Sequence, residues 1–171
     1  VQMPDYAEKP EWNGSIEASK DFIWSNGLRF LRHYQIKAIQ ALQSAVTEGK
    51  DRFLFEMATG TGKTLTSAAV IRLFLRTQNA RRVLFLVDRL ELEDQADKAF
   101  REYLKTDYKC SIYKENRDDW RQAEIVVSTV QSFLFKNKYK RIFQPTDFDL
   151  VISDEAHRSI GGNRTSCDAL H

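Results

Sequence analysis

The sequence predicts an α/β fold, a parallel sheet sandwiched by helices, with a phosphate-binding loop at the edge where its strands end. Three observations lead there. The apolar runs "VLFLV" (83–87), "EIVVSTV" (124–130) and "DLVIS" (149–153) are separated by segments of helical periodicity. Strands that are apolar at every position, rather than at alternate ones, are covered on both faces, as in a parallel sheet between helix layers. Third, the glycine-rich stretch "MATGTGKT" (57–64) stands between an apolar run and a helical segment.

Taken in order, residues 1–30 read as a lead-in segment, with Pro4, Pro10, Gly14 and Gly27, little periodicity, and a short helix around Asp21 to Trp24. Residues 31–171 read as one lobe. Ile36, Ile39, Leu42 and Val46 fall at helical spacing, with Ala38 and Ala45 beside them and Gly49 as the stop. Phe53-Leu54-Phe55 reads as a short apolar strand. Thr64 to Arg76 reads as a helix apolar on more than one side (Leu65, Ala69, Val70, Leu73, Phe74), and therefore well buried. After the strand Val83–Val87, Asp88 and Glu91 have the spacing of a capping box, and Val87 and Leu92 that of a hydrophobic staple across it. Leu92, Ala96, Phe100 and Leu104 then line one helix face.

The bulk numbers bound the rest. A chain of 171 residues, 42% hydrophobic and 29% charged, is one globular domain with enough length for a core. A net charge of +2 leaves no strong electrostatic footprint, so a nucleic-acid partner is neither required nor excluded. Cys110 and Cys167 lack the CxxC spacing of a zinc site and read as reduced thiols of a cytoplasmic protein. No run approaches the ~18 apolar residues of a membrane span. The chain starts at Val1, without a methionine, and stops at His171 soon after an acidic motif, so a fragment of something larger is expected.

The loop carries the chemistry. In Ala58-Thr59-Gly60-Thr61-Gly62-Lys63-Thr64 the glycines let backbone N–H groups turn inward around a phosphate, and the helix N-terminus adds a positive dipole end. Lys63 is placed to reach the β and γ phosphates and the Thr64 hydroxyl to hold Mg²⁺, so ATP and Mg²⁺ are the expected ligands. The pattern GxxxxGK[ST] asks for glycine where this chain has Met57; the strand–loop–helix context carries the reading. Downstream, "DLVISDEAHRS" (149–159) sets Asp154 and Glu155 at the C-terminal end of an apolar strand, the edge where parallel sheets bind ligands. Adjacent carboxylates there divide their labour. Asp154 is assigned to the metal beside Thr64, and Glu155 to the attacking water.

These motifs resemble the superfamily 2 helicases and translocases, and more closely the motor part of the restriction subunit of type I restriction–modification enzymes. The resemblance rests on "LRHYQIKAI" (31–39), "MATGTGKT" (57–64), "VLFLVDRLELEDQ" (83–95), "VVSTVQSF" (126–133) and "ISDEAHRS" (152–159). It implies a RecA-like P-loop NTPase lobe, the first of two. It implies that Gln35, with Arg32 near it, reads the adenine, and that Arg89, Ser128, Thr129 and Gln131 touch the nucleic-acid backbone. It further implies that His157 couples the nucleotide site to later motifs. The basic and aromatic run "FKNKYKR" (135–141) suits a DNA-tracking surface or a solvated loop. Implied partners are double-stranded DNA, the modification and specificity subunits, and a second lobe not expected before His171. The family's nuclease domain precedes the motor, and residues 1–30 are too few to hold it. The chain alone is therefore expected to bind nucleotide with little turnover and not to cut DNA. Other DExH motors (a type III restriction subunit or an RNA helicase), a P-loop small-molecule kinase and a non-hydrolysing nucleotide-binding module are the alternatives. A hydroxyl acceptor would not need Glu155 beside Asp154, which argues against the kinase.

Overall fold

The computed structural model describes residues 10, 14–25, 31–104, 107–113, 118–134, 140, 142–144 and 146–155. The chain forms two compact units, Val1–Ala69 and Val70–His171.

The first unit contains helices α1 (Ile16–Ser25) and α2 (His33–Thr47) and the start of α3 (Lys63–Arg76). Ser15 starts α1 by accepting the Ala18 N–H on its hydroxyl at 3.1 Å, so the helix is longer than the turn around Asp21 to Trp24 that the sequence suggests. Helix α2 begins three residues before its apolar series, because the Gln35 side chain accepts the Arg32 backbone N–H at 2.8 Å and closes the first turn. It ends as Gly49 predicts. The Gly49 N–H donates to Val46 O at 2.9 Å and the Lys50 N–H to Ala45 O at 3.0 Å, the two bonds of a Schellman cap. Gly49 sits at φ +82, a left-handed conformation that suits glycine.

Phe53-Leu54-Phe55 does not form the expected strand. Residues 51–58 have no regular secondary structure, and Leu54 is 82% exposed. A strand exists through ladder hydrogen bonds to a neighbour. Three apolar residues supply its side chains but not its partner, and among the described residues none pairs with them.

The second unit is built on a four-stranded sheet of β1 (Val83–Val87), β2 (Cys110–Ile112), β3 (Ile125–Thr129) and β4 (Leu150–Ser153), in the order β2-β3-β1-β4. All three pairings are parallel, as the unalternating runs predict. Every residue of β1 and β3 is buried. One face is covered by α4 (Leu90–Leu104), where Ala96, Phe100 and Leu104 are buried and the Phe100 ring meets Phe85 edge-on at 4.8 Å. On the other face Leu84, Leu86 and Val126 pack against Tyr113, Trp120, Phe133 and Phe143. Full burial of side chains of this size is worth about 1.5–3 kcal/mol each, which makes these two layers the main source of stability in the unit. A 3₁₀ turn (Asp119–Gln122) delivers Trp120, and α5 (Val130–Leu134) delivers Phe133.

Polar groups set the register at the start of the strands. Asp149 accepts the backbone N–H groups of Arg81 and Arg82 at 2.8 and 3.2 Å, aligning β4 with β1. Arg82 donates to Trp120 O at 3.0 Å and Ala123 O at 3.3 Å, and its guanidinium lies over the Phe148 ring at 4.9 Å. Strand β4 is as apolar as β1 but lies at a sheet edge, where Val151 is 40% exposed. Cys110 is a buried free thiol; burial pushes its pKa up, with Asp97 adding to the rise, and it stays protonated at neutral pH. Cys167, His157 and most of 135–141 lie outside the described residues. Among the described residues no helix is long and apolar enough to cross a membrane, and no group of three or more His, Cys, Asp or Glu is placed to hold a metal ion.

Candidate nucleotide and nucleic-acid sites

The glycine-rich loop belongs to the first unit and is built from both sides. From within, the Thr61 hydroxyl donates to Ala58 O at 2.6 Å and the Thr61 N–H to the same carbonyl at 3.3 Å, closing a tight turn. Gly60 and Gly62 stand at φ +78 and φ +84, where an L side chain is strained. Helix α3 begins at once at Lys63, so Lys63 and Thr64 occupy the first turn of a 14-residue helix. Both are half-buried, whereas Thr59 and Gly60 are exposed.

From outside, α2 holds the loop. Gln35 is 1% exposed, and its amide nitrogen lies 3.2 Å from Thr61 O, 3.1 Å from Gly62 O and 3.0 Å from the Thr66 hydroxyl. With its oxygen accepting Arg32 N–H, the whole amide is engaged by the protein. Gly62 is therefore constrained twice, since a Cβ there would come within 2.7 Å of the Gln35 nitrogen. Gln35 is here a loop-holding residue, and adenine reading would require its amide to exchange these bonds. Arg32 is exposed, with a guanidinium nitrogen 3.3 Å from the Tyr34 hydroxyl. Tyr34 was not singled out by the sequence; its hydroxyl donates to Thr61 O at 2.7 Å.

The carboxylate pair belongs to the second unit. Asp154 directly follows β4, and its N–H donates to Leu86 O of β1 at 2.9 Å. Its Oδ1 accepts the Glu155 N–H at 3.0 Å. Glu155 stands at φ +52, in the left-handed region that a non-glycine residue enters at a cost. Strain of this kind concentrates at functional positions. Both side chains are half-buried.

The register places the other candidates along the same strand ends: Leu86 pairs with Ser128 and with Ser153, and Val87 with Thr129. Of the four residues matched to nucleic-acid contact, Arg89 and Gln131 are exposed. Ser128 and Thr129 are not available to touch a ligand in this arrangement, being 0% and 2% exposed. The Ser128 hydroxyl donates to Thr129 O, and the Thr129 hydroxyl accepts the Ser132 N–H at 3.0 Å, capping α5. They build the turn that presents Gln131. Glu93, which the sequence does not single out, is 7% exposed and accepts the Thr129 N–H at 2.6 Å, tying α4 to that turn.

A parallel sheet covered on both faces, with the candidate side chains of this unit at the carboxyl ends of its strands, matches the fold of known helicase-type ATPase cores. The chain belongs to the family described as "Type III restriction enzyme, res subunit", whose model matches residues 29–168. It is 37% identical over 139 residues to the type I restriction enzyme EcoKI endonuclease subunit of Escherichia coli (strain K12), a match covering 75% of this chain and 12% of that protein. Its fold is that of the SWI2/SNF2 ATPase core of Sulfolobus solfataricus, solved in complex with double-stranded DNA, with TM-score 0.67 at 19% identity over 82% of this chain and 29% of that one. It is also similar to a nuclease-deletion mutant of the type ISP restriction–modification enzyme LlaGI, solved with a DNA substrate mimic. That match has TM-score 0.61 at 26% identity over 84% of this chain and 16% of that one.

Proposed function

We propose that this chain is the ATP-binding lobe of an ATP-dependent double-stranded DNA translocase in a type I restriction endonuclease. The observation that carries the reading is the loop: two left-handed glycines, a buried amide bracing them from behind, and a helix that begins at Lys63. Few ligands other than a phosphate chain suit inward N–H groups at a helix N-terminus. Lys63 then contacts the β and γ phosphates. Thr64 and Asp154 are the residues that would hold Mg²⁺, whose charge offsets that of the phosphates. Glu155 orients the attacking water and takes its proton. Arg32 would contact the base, Arg89 and Gln131 the DNA backbone, and His157 would relay the nucleotide state to later motifs. The relatives' names, a type I restriction endonuclease subunit and a restriction–modification enzyme solved with a DNA substrate mimic, support a restriction enzyme acting on DNA. Modification and specificity subunits as partners, and a cytoplasmic location, belong to the proposal. The family model's own description favours a type III enzyme as the second reading, with the same motor chemistry in a different host.

Turnover needs more positive charge against the transferred phosphate than these residues bring. An arginine finger is worth about 10³–10⁵ in rate, and it comes from a second lobe in this reading. Phosphate release from the purified 171-residue chain should therefore be slow and indifferent to long duplex DNA. A longer restriction subunit containing the chain should respond strongly to duplex DNA and weakly to RNA. Strong stimulation of the 171-residue chain by DNA would show that it carries a complete motor.

A further inference from the structure

The Tyr34 ring is 43% exposed on the first turn of α2, yet its hydroxyl reaches across the sequence to donate to Thr61 O at 2.7 Å. An Arg32 guanidinium nitrogen lies 3.3 Å from the same hydroxyl, so a charged donor polarises the phenol toward the carbonyl. The carbonyl matters because of peptide geometry. In a trans peptide C=O and N–H point in opposite directions, so a Thr61 carbonyl drawn toward α2 turns the Gly62 N–H away from α2, into the loop. Gln35 acts in the same sense on Thr61 O and also on Gly62 O, which orients the Lys63 N–H. Its bond to Thr61 O is the longer, at 3.2 Å against 2.7 Å for Tyr34.

We propose that Tyr34 is a positioning residue for the nucleotide: its hydroxyl, set by Arg32, fixes the Thr61–Gly62 peptide so that the Gly62 N–H is aimed at a phosphate before the nucleotide arrives. This rests on the nucleotide-binding reading for its purpose, though not for the bond itself. An N–H that is already aimed does not have to be ordered on binding, which raises affinity. The exposed phenol also connects Arg32 to the loop, so a ligand that engages the guanidinium alters the hold on Thr61.

The test is Tyr34→Phe in the 171-residue chain, which keeps the ring and removes one hydroxyl. In nucleotide-free protein, ¹⁵N relaxation should show larger motion of the Gly62 amide, with amides in β1 and β3 unchanged. Titration with Mg-ADP should show weaker binding by about 3–10-fold, the equivalent of one lost neutral hydrogen bond. Arg32→Ala should loosen the Gly62 amide in the same direction, and in the double variant that amide should be no more mobile than in Tyr34→Phe alone. A Gly62 amide as rigid in Tyr34→Phe as in the parent overturns the proposal. So does a looser Gly62 with unaltered Mg-ADP affinity. If Gly62 loosens but the parent itself binds no Mg-ADP, the hold by Tyr34 stands and the nucleotide-binding reading falls.

Discussion

Replacing Glu155 by Gln in a restriction subunit that contains this chain is expected to leave Mg-ATP binding intact and to lower ATP turnover about 10²–10⁴-fold, the usual contribution of general-base help. The amide keeps the size and most of the hydrogen bonding of the carboxylate but cannot take a proton from water. The backbone supports this assignment. Glu155 stands at φ +52, directly after Asp154, whose N–H donates to Leu86 O just beyond β4. A costly backbone conformation persists only where the surrounding structure fixes it, and such positions concentrate at functional sites. Pre-steady-state and steady-state phosphate release, beside nucleotide affinity from fluorescence titration, separate the two steps. Wild-type turnover in the variant would remove Glu155 from the chemistry, and lost binding with normal turnover per bound ATP would reassign it to the nucleotide.

Lys63→Ala is expected to reduce Mg-nucleotide affinity of the 171-residue chain to near the limit of detection. One charge-assisted contact is worth about 1.5–3 kcal/mol, or roughly 10–150-fold in Kd. Lys63 is the first residue of α3, so its ammonium stands at the positive end of the helix dipole. Backbone donors alone would leave weak, charge-insensitive binding. Calorimetric titration of parent and variant measures the difference, and equal affinities would end the assignment of Lys63 to the phosphates. Thermal melting of the free variant should be close to that of the parent, since a half-buried lysine on the first turn contributes little to packing.

Much of this molecule was legible because its signals are local. Strands β1, β3 and β4 lie within the apolar runs that announce them, and a run of β-branched and apolar residues has few other uses in a short segment. The face of α4 follows from the spacing of Ala96, Phe100 and Leu104, and Gly60, Gly62 and Lys63 mark the loop by residue type alone. What escaped has no local pattern. Strand β2 is three residues, Cys110-Ser111-Ile112, and becomes a strand only because β3 lies beside it. The converse holds for Phe53 to Phe55, whose apolar character suggested a strand that no ladder completes. The roles of Tyr34 and Gln35 depend on bonds to residues 26 or more positions away, which periodicity does not report. Ser128 and Thr129, which the resemblance places at the nucleic-acid backbone, are buried and bonded within the turn before α5, which residue type alone does not report. Glu93 escaped for a similar reason, since a buried acceptor for a strand-end N–H looks in sequence like any other acid of α4.

In the proposed function the loop and the carboxylate pair serve one Mg-nucleotide. Titration of the ¹⁵N-labelled 171-residue chain with Mg-ADP tests it directly, with amide shifts followed residue by residue. The expected result is a saturable set of shifts at Gly60 to Thr64 together with Asp154 and Glu155, with the second group fading when Mg²⁺ is omitted. Saturation with shifts confined to other segments, or shifts in the loop that never reach Asp154 at any Mg²⁺ concentration, would contradict it.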